Sequence, residues 1–414
     1  MMRVFRNSIA GVLIPMVIIA CFGCSGEKTS KMGKSQSDHN YKFDSGEAAF
    51  RIPFELYGNL IFVEVMVNDS GPLWFILDSG CEYSLLSKET AGKSGLKMSG
   101  PEMIEQPGGE IEVYSTGEVS FGMPGVRFIN QTVPIYPLES LESIAGRSIN
   151  GILGHDVFER FVVVINYDSQ YIDIYEPDGY EYQGDGEILE VTVENDEAFI
   201  ETEIEHPAGR RIQARLMLDT GSINVIGFNG SYVKATELFG SNQKTIPALG
   251  IAIGGKTENY VTRIEALHLG KIDIINPVVG ASVDTLRSGD AGTIAGEVFR
   301  RFTLIFDYAH GRLILEKNRH FDELYEYDMS GIFPIGEFPD FAVKKVLAVM
   351  PGTPAAESGI LAGDYIEEID GLQAGQLSIL EIRRIFIGDG KTVRLKIRRD
   401  QDILEKNIKL KRLI

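Results

Sequence analysis

Apolar and polar positions along this chain fall into one series that is run through twice. Leu60-Ile61-Phe62-Val63-Glu64-Val65-Met66-Val67 reads as a strand, and the turn residues Asn68-Asp69-Ser70-Gly71-Pro72 follow it. A second apolar run, Trp74-Phe75-Ile76-Leu77, stops at Asp78-Ser79-Gly80-Cys81, and apolar character returns at Leu85-Leu86. Gly108-Gly109 stands between two strand-like segments and predicts a hairpin tip. Gly151-Ile152-Leu153-Gly154 comes next, then the run from Phe158 to Tyr167 and the alternating Tyr171-Ile172-Asp173-Ile174-Tyr175. Glu176-Pro177-Asp178-Gly179 punctuates the end of the unit.

The series then restarts. Phe199 to Ile204 leads to Leu216-Met217-Leu218, which stops at Asp219-Thr220-Gly221-Ser222 before Val225-Ile226. Gly254-Gly255 takes the place of Gly108-Gly109, Thr293-Ile294-Ala295-Gly296 that of Gly151 to Gly154, and the run from Phe299 to Tyr308 that of Phe158 to Tyr167. Asp78 and Asp219, Phe158 and Phe299, and Tyr167 and Tyr308 share one spacing, so an internal duplication is expected. Its content is mainly β.

Each copy ends an apolar strand in a carboxylate, a hydroxyl and a glycine. The strand would hold the carboxylate on rigid backbone, and the glycine permits the sharp turn behind it. Two such carboxylates facing each other would form an acid/base pair. The tripeptide alone carries little weight, because Asp-Ser-Gly also begins at Asp44 and Asp69, where it reads as ordinary turn. The duplicated context is what singles out Asp78 and Asp219.

Over roughly residues 50 to 318 this arrangement resembles the aspartic proteases, and Gly151 to Tyr167 is especially similar to the bacterial retropepsin-like proteins. The resemblance implies two β-rich lobes with Asp78 and Asp219 as the catalytic pair. Ser79 and Thr220 would brace the loops against each other, with Gly80 and Gly221 as turn glycines and Ser222 beside them. Gly154 and Gly296 would shape the loops from beneath. Gly108, Gly109, Gly254 and Gly255 are candidates for flaps closing over an extended peptide, or are plain hairpin turns. Cys81 departs from the family's usual small or hydroxyl residue, and Val225 stands where the first copy has Ser84.

A different unit follows. Phe341 to Val346 reads as a strand, and Pro354-Ala355…Gly359-Ile360…Gly363-Asp364-Tyr365-Ile366 strongly resembles a bacterial PDZ domain. A helical stretch from Leu377 to Ile387 and a strand from Thr392 to Arg398 complete it. The resemblance implies a site for peptide or protein C-termini, with Gly331, Ile332 and Phe333 as its carboxylate loop; an interdomain turn is the plain alternative there. Both carboxylates lie in the duplicated part, so this unit is expected to be dispensable for chemistry.

The net charge of −19 over 414 residues disfavours a nucleic-acid partner. Residues 341–414 hold 13 Lys/Arg against 10 Asp/Glu, so the acidity lies upstream. The six His show no ligand spacing, and neither metal nor cofactor is expected. Arg3 and Arg6 precede a short apolar core, and Ile18-Ile19-Ala20-Cys21 resembles a lipobox. That predicts export to a bacterial cell envelope, with a lipid on Cys21 as the membrane anchor. With so few cysteines, no disulfide framework is expected.

The expected organisation is a signal peptide (1–21), a flexible linker (22–47), an N-lobe (48–182), a C-lobe (183–320) and a PDZ domain (321–414). The expected function is an aspartic-type endopeptidase. The rivals are a catalytically degenerate lipoprotein that only binds peptides through its PDZ domain, and an assembly module pairing lobes between chains.

Overall fold

The computed structural model describes residues 40–68, 70–240, 243–283 and 289–414. The signal stretch, Cys21, Cys24 and Asp69 lie outside the described residues. The first lobe is built on the hairpin Ala48–Tyr57/Leu60–Val67 and the strand Ser70–Leu77 beside it. The last of these is exposed at its start and fully buried at its end, so it delivers Asp78 into the interior. In the second lobe Arg211–Asp219 does the same for Asp219.

Six antiparallel strands join the lobes: Ala48–Tyr57, Tyr171–Tyr175, Val162–Asn166, Phe302–Asp307, Arg312–Lys317 and Glu187–Glu194. At its centre Val164 lies opposite Ile305. These two residues occupy the same place in the two copies, so a pseudo-two-fold axis runs through that pair. Phe158, Phe299, Phe302 and Phe306 are buried against this sheet, with the Phe158 and Phe306 rings edge to face at 4.9 Å. Such a pair adds about 0.5–1.5 kcal/mol beyond its buried area.

Two boundaries shift. Tyr41–Phe43 is a strand paired with Val126–Tyr136, so the linker cannot extend to residue 47 as expected: the apolar Phe43 is drawn into the core. Residues 321–325 pack on the C-lobe. Arg301 stacks on Tyr325 at 3.7 Å and donates to the Phe321 carbonyl, and Arg263 donates to that of Tyr325.

The C-terminal unit is a small antiparallel sheet ordered Ile332–Gly336, Lys344–Val349, Tyr365–Ile369, Thr392–Arg399, Asp402–Lys409. Its helix Ile379–Ile385 starts at Ser378, whose side chain forms a reciprocal capping box with Glu381. This unit is not a free appendage. Phe333 and Ala348 share one buried cluster with Leu138, Leu141 and Ile144 of the N-lobe and with Leu249, Ile251 and Ile253 of the C-lobe.

Candidate active site

The two Asp loops meet at the lobe boundary through reciprocal hydrogen bonds. Ser79 N–H donates to Thr220 Oγ1 (2.9 Å), and Thr220 N–H donates to Ser79 Oγ (3.1 Å). Each hydroxyl then donates to the carbonyl before the other lobe's Asp: Ser79 Oγ to Leu218 at 2.8 Å, Thr220 Oγ1 to Leu77 at 2.9 Å. All four bonds are buried, so each is shielded from water that would otherwise compete for it. Either hydroxyl replaced by a methyl would leave a buried N–H without its acceptor.

This grip brings Asp78 and Asp219 together. A Cβ on Gly221 would lie 2.1 Å from Asp78 Cγ, and one on Gly80 would lie 3.0 Å from Asp219 Cγ. Each carboxylate therefore rests against the turn glycine of the opposite loop, and only glycine leaves room at Gly221. Both Asp side chains are almost wholly buried. Gly80 N–H donates to Asp78 Oδ1 at 2.9 Å. Cys81 is buried and, among the described residues, makes no disulfide; its thiol donates to the Tyr83 carbonyl. Ser222, in the same place of the second loop, accepts from Asn224 Nδ2.

Beneath each loop passes a short strand. Gly151–Leu153 runs parallel to the Asp78 strand and antiparallel to Leu85–Ser87; Gly292–Ala295 repeats this beside Asp219 and Ile226–Phe228. The register here differs from the expected one. Phe75 pairs with Gly151 and Leu216 with Gly292, while His155 N–H bonds Cys81 O and Gly296 N–H bonds Ser222 O. Ala295 is thus the counterpart of Gly154, and Gly296 that of His155. Both glycines are still tightly enclosed, Gly154 against Tyr83 and Gly296 against Asn59 and Ser222 backbone oxygens.

The four hairpin glycines lie at two tips that touch. Gly254 N–H donates to the Pro107 carbonyl at 3.2 Å, and a Cβ on Gly108 would lie 2.5 Å from the Gly255 carbonyl carbon. The tips come from Ser99–Gln106/Gly109–Met123 in one lobe and Ile246–Ala252/Gly255–Arg263 in the other.

Sequence reading missed the groups that lock the lobes from below. Asn59 sits at the first hairpin's tip in the left-handed region and reaches the second lobe, donating to Ile223 O and to Glu297 Oε2. Glu297 also holds Arg300 and Arg301. On the other side of the axis a buried His155 stacks on Tyr308 of the other lobe at 5.4 Å, with Asp156 and Asp196 nearby. Burial pushes the His155 pKa down. The glycine-asparagine tip at Gly58-Asn59 was the one available signal for this contact.

In the loop assigned to peptide carboxylates, the N–H groups have internal partners. Asp328 Oδ1 accepts from Ser330 N–H (3.0 Å) and Gly331 N–H (2.6 Å), and Ser330 Oγ accepts from Ile332 N–H. Phe333 is buried in the cluster shared with the lobes. Among the described residues, no group of three or more His, Cys, Asp or Glu is placed to hold a metal ion, and no helix is long and apolar enough to cross a membrane.

No curated protein matches the chain. Among solved structures, a photosystem II D1 C-terminal processing protease matches at 19% identity with a TM-score of 0.20, over 21% of this chain and 24% of that one. An overlap that short and divergent carries no argument here. Models of two families do match: that of the aspartyl proteases over residues 63–157, and that of the PDZ domain over residues 345–399. The chain thus joins a mainly β domain of the retropepsin-like aspartyl protease type to a PDZ domain.

Proposed function

We propose that this protein is an exported endopeptidase in which Asp78 and Asp219 share one proton and activate water. The observation that supports the reading is the reciprocal Ser79–Thr220 grip, which holds two buried carboxylates each against the turn glycine of the opposite loop. In the proposed mechanism the two carboxylates act as a close pair; such a pair does not ionise twice, so one member keeps a proton. The ionised member takes a proton from water as its oxygen bonds the scissile carbonyl carbon, and the protonated member donates to the carbonyl oxygen. Collapse of the tetrahedral species breaks the C–N bond as the proton taken from water passes to the leaving amine, and one hydroxyl proton of the former diol returns to the other Asp, leaving the carboxylic acid. The touching hairpins act as flaps that part for an extended peptide and close over it. The PDZ domain supplies a second contact to peptide or protein partners. The N-terminal apolar core and Cys21 support a lipid-anchored form in a bacterial cell envelope.

The test is cleavage of an unbiased peptide library by the wild-type chain and by Asp219→Asn. Cleavage sites produced by the first and absent with the second are expected. A library left intact by both would favour the peptide-binding rival.

A further inference from the structure

The PDZ strand Ile332–Gly336 is the edge of its sheet: it pairs with Lys344–Val349 and, among the described residues, with no other strand. A groove for an added strand would run between this edge and the helix Ile379–Ile385. The N-lobe helix Glu139–Ala145 packs against both this strand and this helix. Gly146, at the end of that helix, has its Cα 3.3 Å from where a Cβ on Gly336 would stand, and its own added Cβ would lie 2.7 Å from Ile379 Cγ1. One residue therefore touches both walls. Arg383 Nη2 reaches the Ile144 carbonyl at 3.5 Å, and Phe333 and Ile335 pack in the same cluster as Leu138, Leu141, Ile144 and Ala145. At the other end, the loop N–H groups hold the carboxylate of Asp328. A cavity of about 230 Å³ behind that loop is walled by Ile223, Asn224 and Val225, which follow the Asp219 turn.

The same contacts reach a flap. The cluster that binds the helix to the PDZ strand also contains Leu249, Ile251 and Ile253 of the C-lobe hairpin. Ile246 at that hairpin's base packs on Met350, Leu413 and Tyr327. The hairpin is thus held by the helix Glu139–Ala145 along its strand Ile246–Ala252, by the PDZ unit at its base and by Pro107 at its tip.

We propose that the PDZ domain is a latch on the cleft, with helix Glu139–Ala145 as the internal occupant of its groove. An extended peptide that pairs with Ile332–Gly336 must evict this helix, and eviction frees the C-lobe hairpin to lift. The proposal rests on the peptidase reading only for its effect on rate; the mechanical coupling stands apart from it.

The experiment compares the full-length wild type with Ala145→Arg, which places a long cation in the interface, by hydrogen exchange and by turnover of a short quenched peptide. Backbone exchange is expected to quicken about ten-fold or more together in Glu139–Ala145, Ile332–Gly336 and the hairpin Ile246–Ala252/Gly255–Arg263, while Thr392–Arg399 keeps its protection. Emission from Trp74, the single tryptophan, should shift as well, because the guanidinium of Arg147 just past the helix lies 4.9 Å from its ring. kcat/KM should rise about five-fold as the cleft admits substrate more readily. A helix that loosens while the hairpin keeps wild-type protection overturns the latch, as does unchanged or lower turnover beside a faster-exchanging hairpin. If neither chain cleaves but exchange is coupled as expected, the latch stands and the peptidase reading falls. Should Ala145→Arg lose protection throughout, Ile379→Ala, which trims the contact to Gly146, decides by the same readouts.

Discussion

Four hydrogen bonds made by Ser79 and Thr220, two of them to each other, decide where two carboxylates stand. Thr220→Ala removes the acceptor for Ser79 N–H and the donor to Leu77 O in one step. A loss of about 1–3 kcal/mol is expected, because a buried group is left unsatisfied. Denaturant unfolding should show it, and Thr220→Ser should restore most of it. His155 gives a second prediction. Its folded pKa lies below the ordinary 6.5, so neutral His155 favours the fold above that value, and this is lost as pH falls below it. His155→Phe, which keeps the stacking on Tyr308, should flatten that acid-side decline in melting temperature; an unchanged slope would place its cause in other groups. At this scale Asp78, Asp219 and the hydroxyls were legible because one motif occurs twice in one context. Gly296 stands a step out of register with Gly154: a shared glycine is a louder signal than the constant spacing of the two copies, which sets Ala295 opposite Gly154, as the Gly292–Leu216 pair shows.

Hairpin tips were legible as glycine pairs, but their meeting was not, since no local pattern encodes a contact between two turns far apart in sequence. Gly254→Ala tests what the meeting does. Its Cβ would come within 2.5 Å of the Gly109 carbonyl oxygen, so the tips cannot close as they stand. We expect kcat to fall about ten-fold and the melting temperature to drop with it, because the tips already meet without substrate. The PDZ loop was read as a receptor, yet Asp328 fills it from within. Burial raises the pKa of Asp328 to about 7 against its Gly331 and Ser330 hydrogen bonds. The folded chain therefore keeps a proton that the unfolded chain releases above the ordinary aspartate value of 3.8. Stability should be full below that value and decline as pH rises toward 7. Asp328→Asn should remove this decline in a series of melting curves; a slope equal to wild type would contradict the assignment.

For the whole molecule, the duplication predicted two lobes, and the pairing of Val164 with Ile305 across the joining sheet expresses it. Docking of the PDZ unit left no trace in the sequence: its apolar face reads like any strand's, and what it covers is set by tertiary packing. The expectation that this unit is dispensable changes accordingly. Truncation after Phe321 would uncover Leu141, Ile144 and Leu249, and the shortened chain should be markedly less stable than the full one. Lipid labelling of Cys21→Ser should be lost if that residue anchors the protein; labelling that survives there and disappears with Cys24→Ser would move the anchor. The central claim is that Asp78 and Asp219 work as one unit, and a double-mutant cycle measures it most directly. Asp78→Asn, Asp219→Asn and the double variant should each lose at least about a thousand-fold in kcat/KM, by the same factor, with folded spectra retained. Either single variant retaining turnover within about ten-fold of wild type, or losses that multiply in the double, would contradict a shared proton.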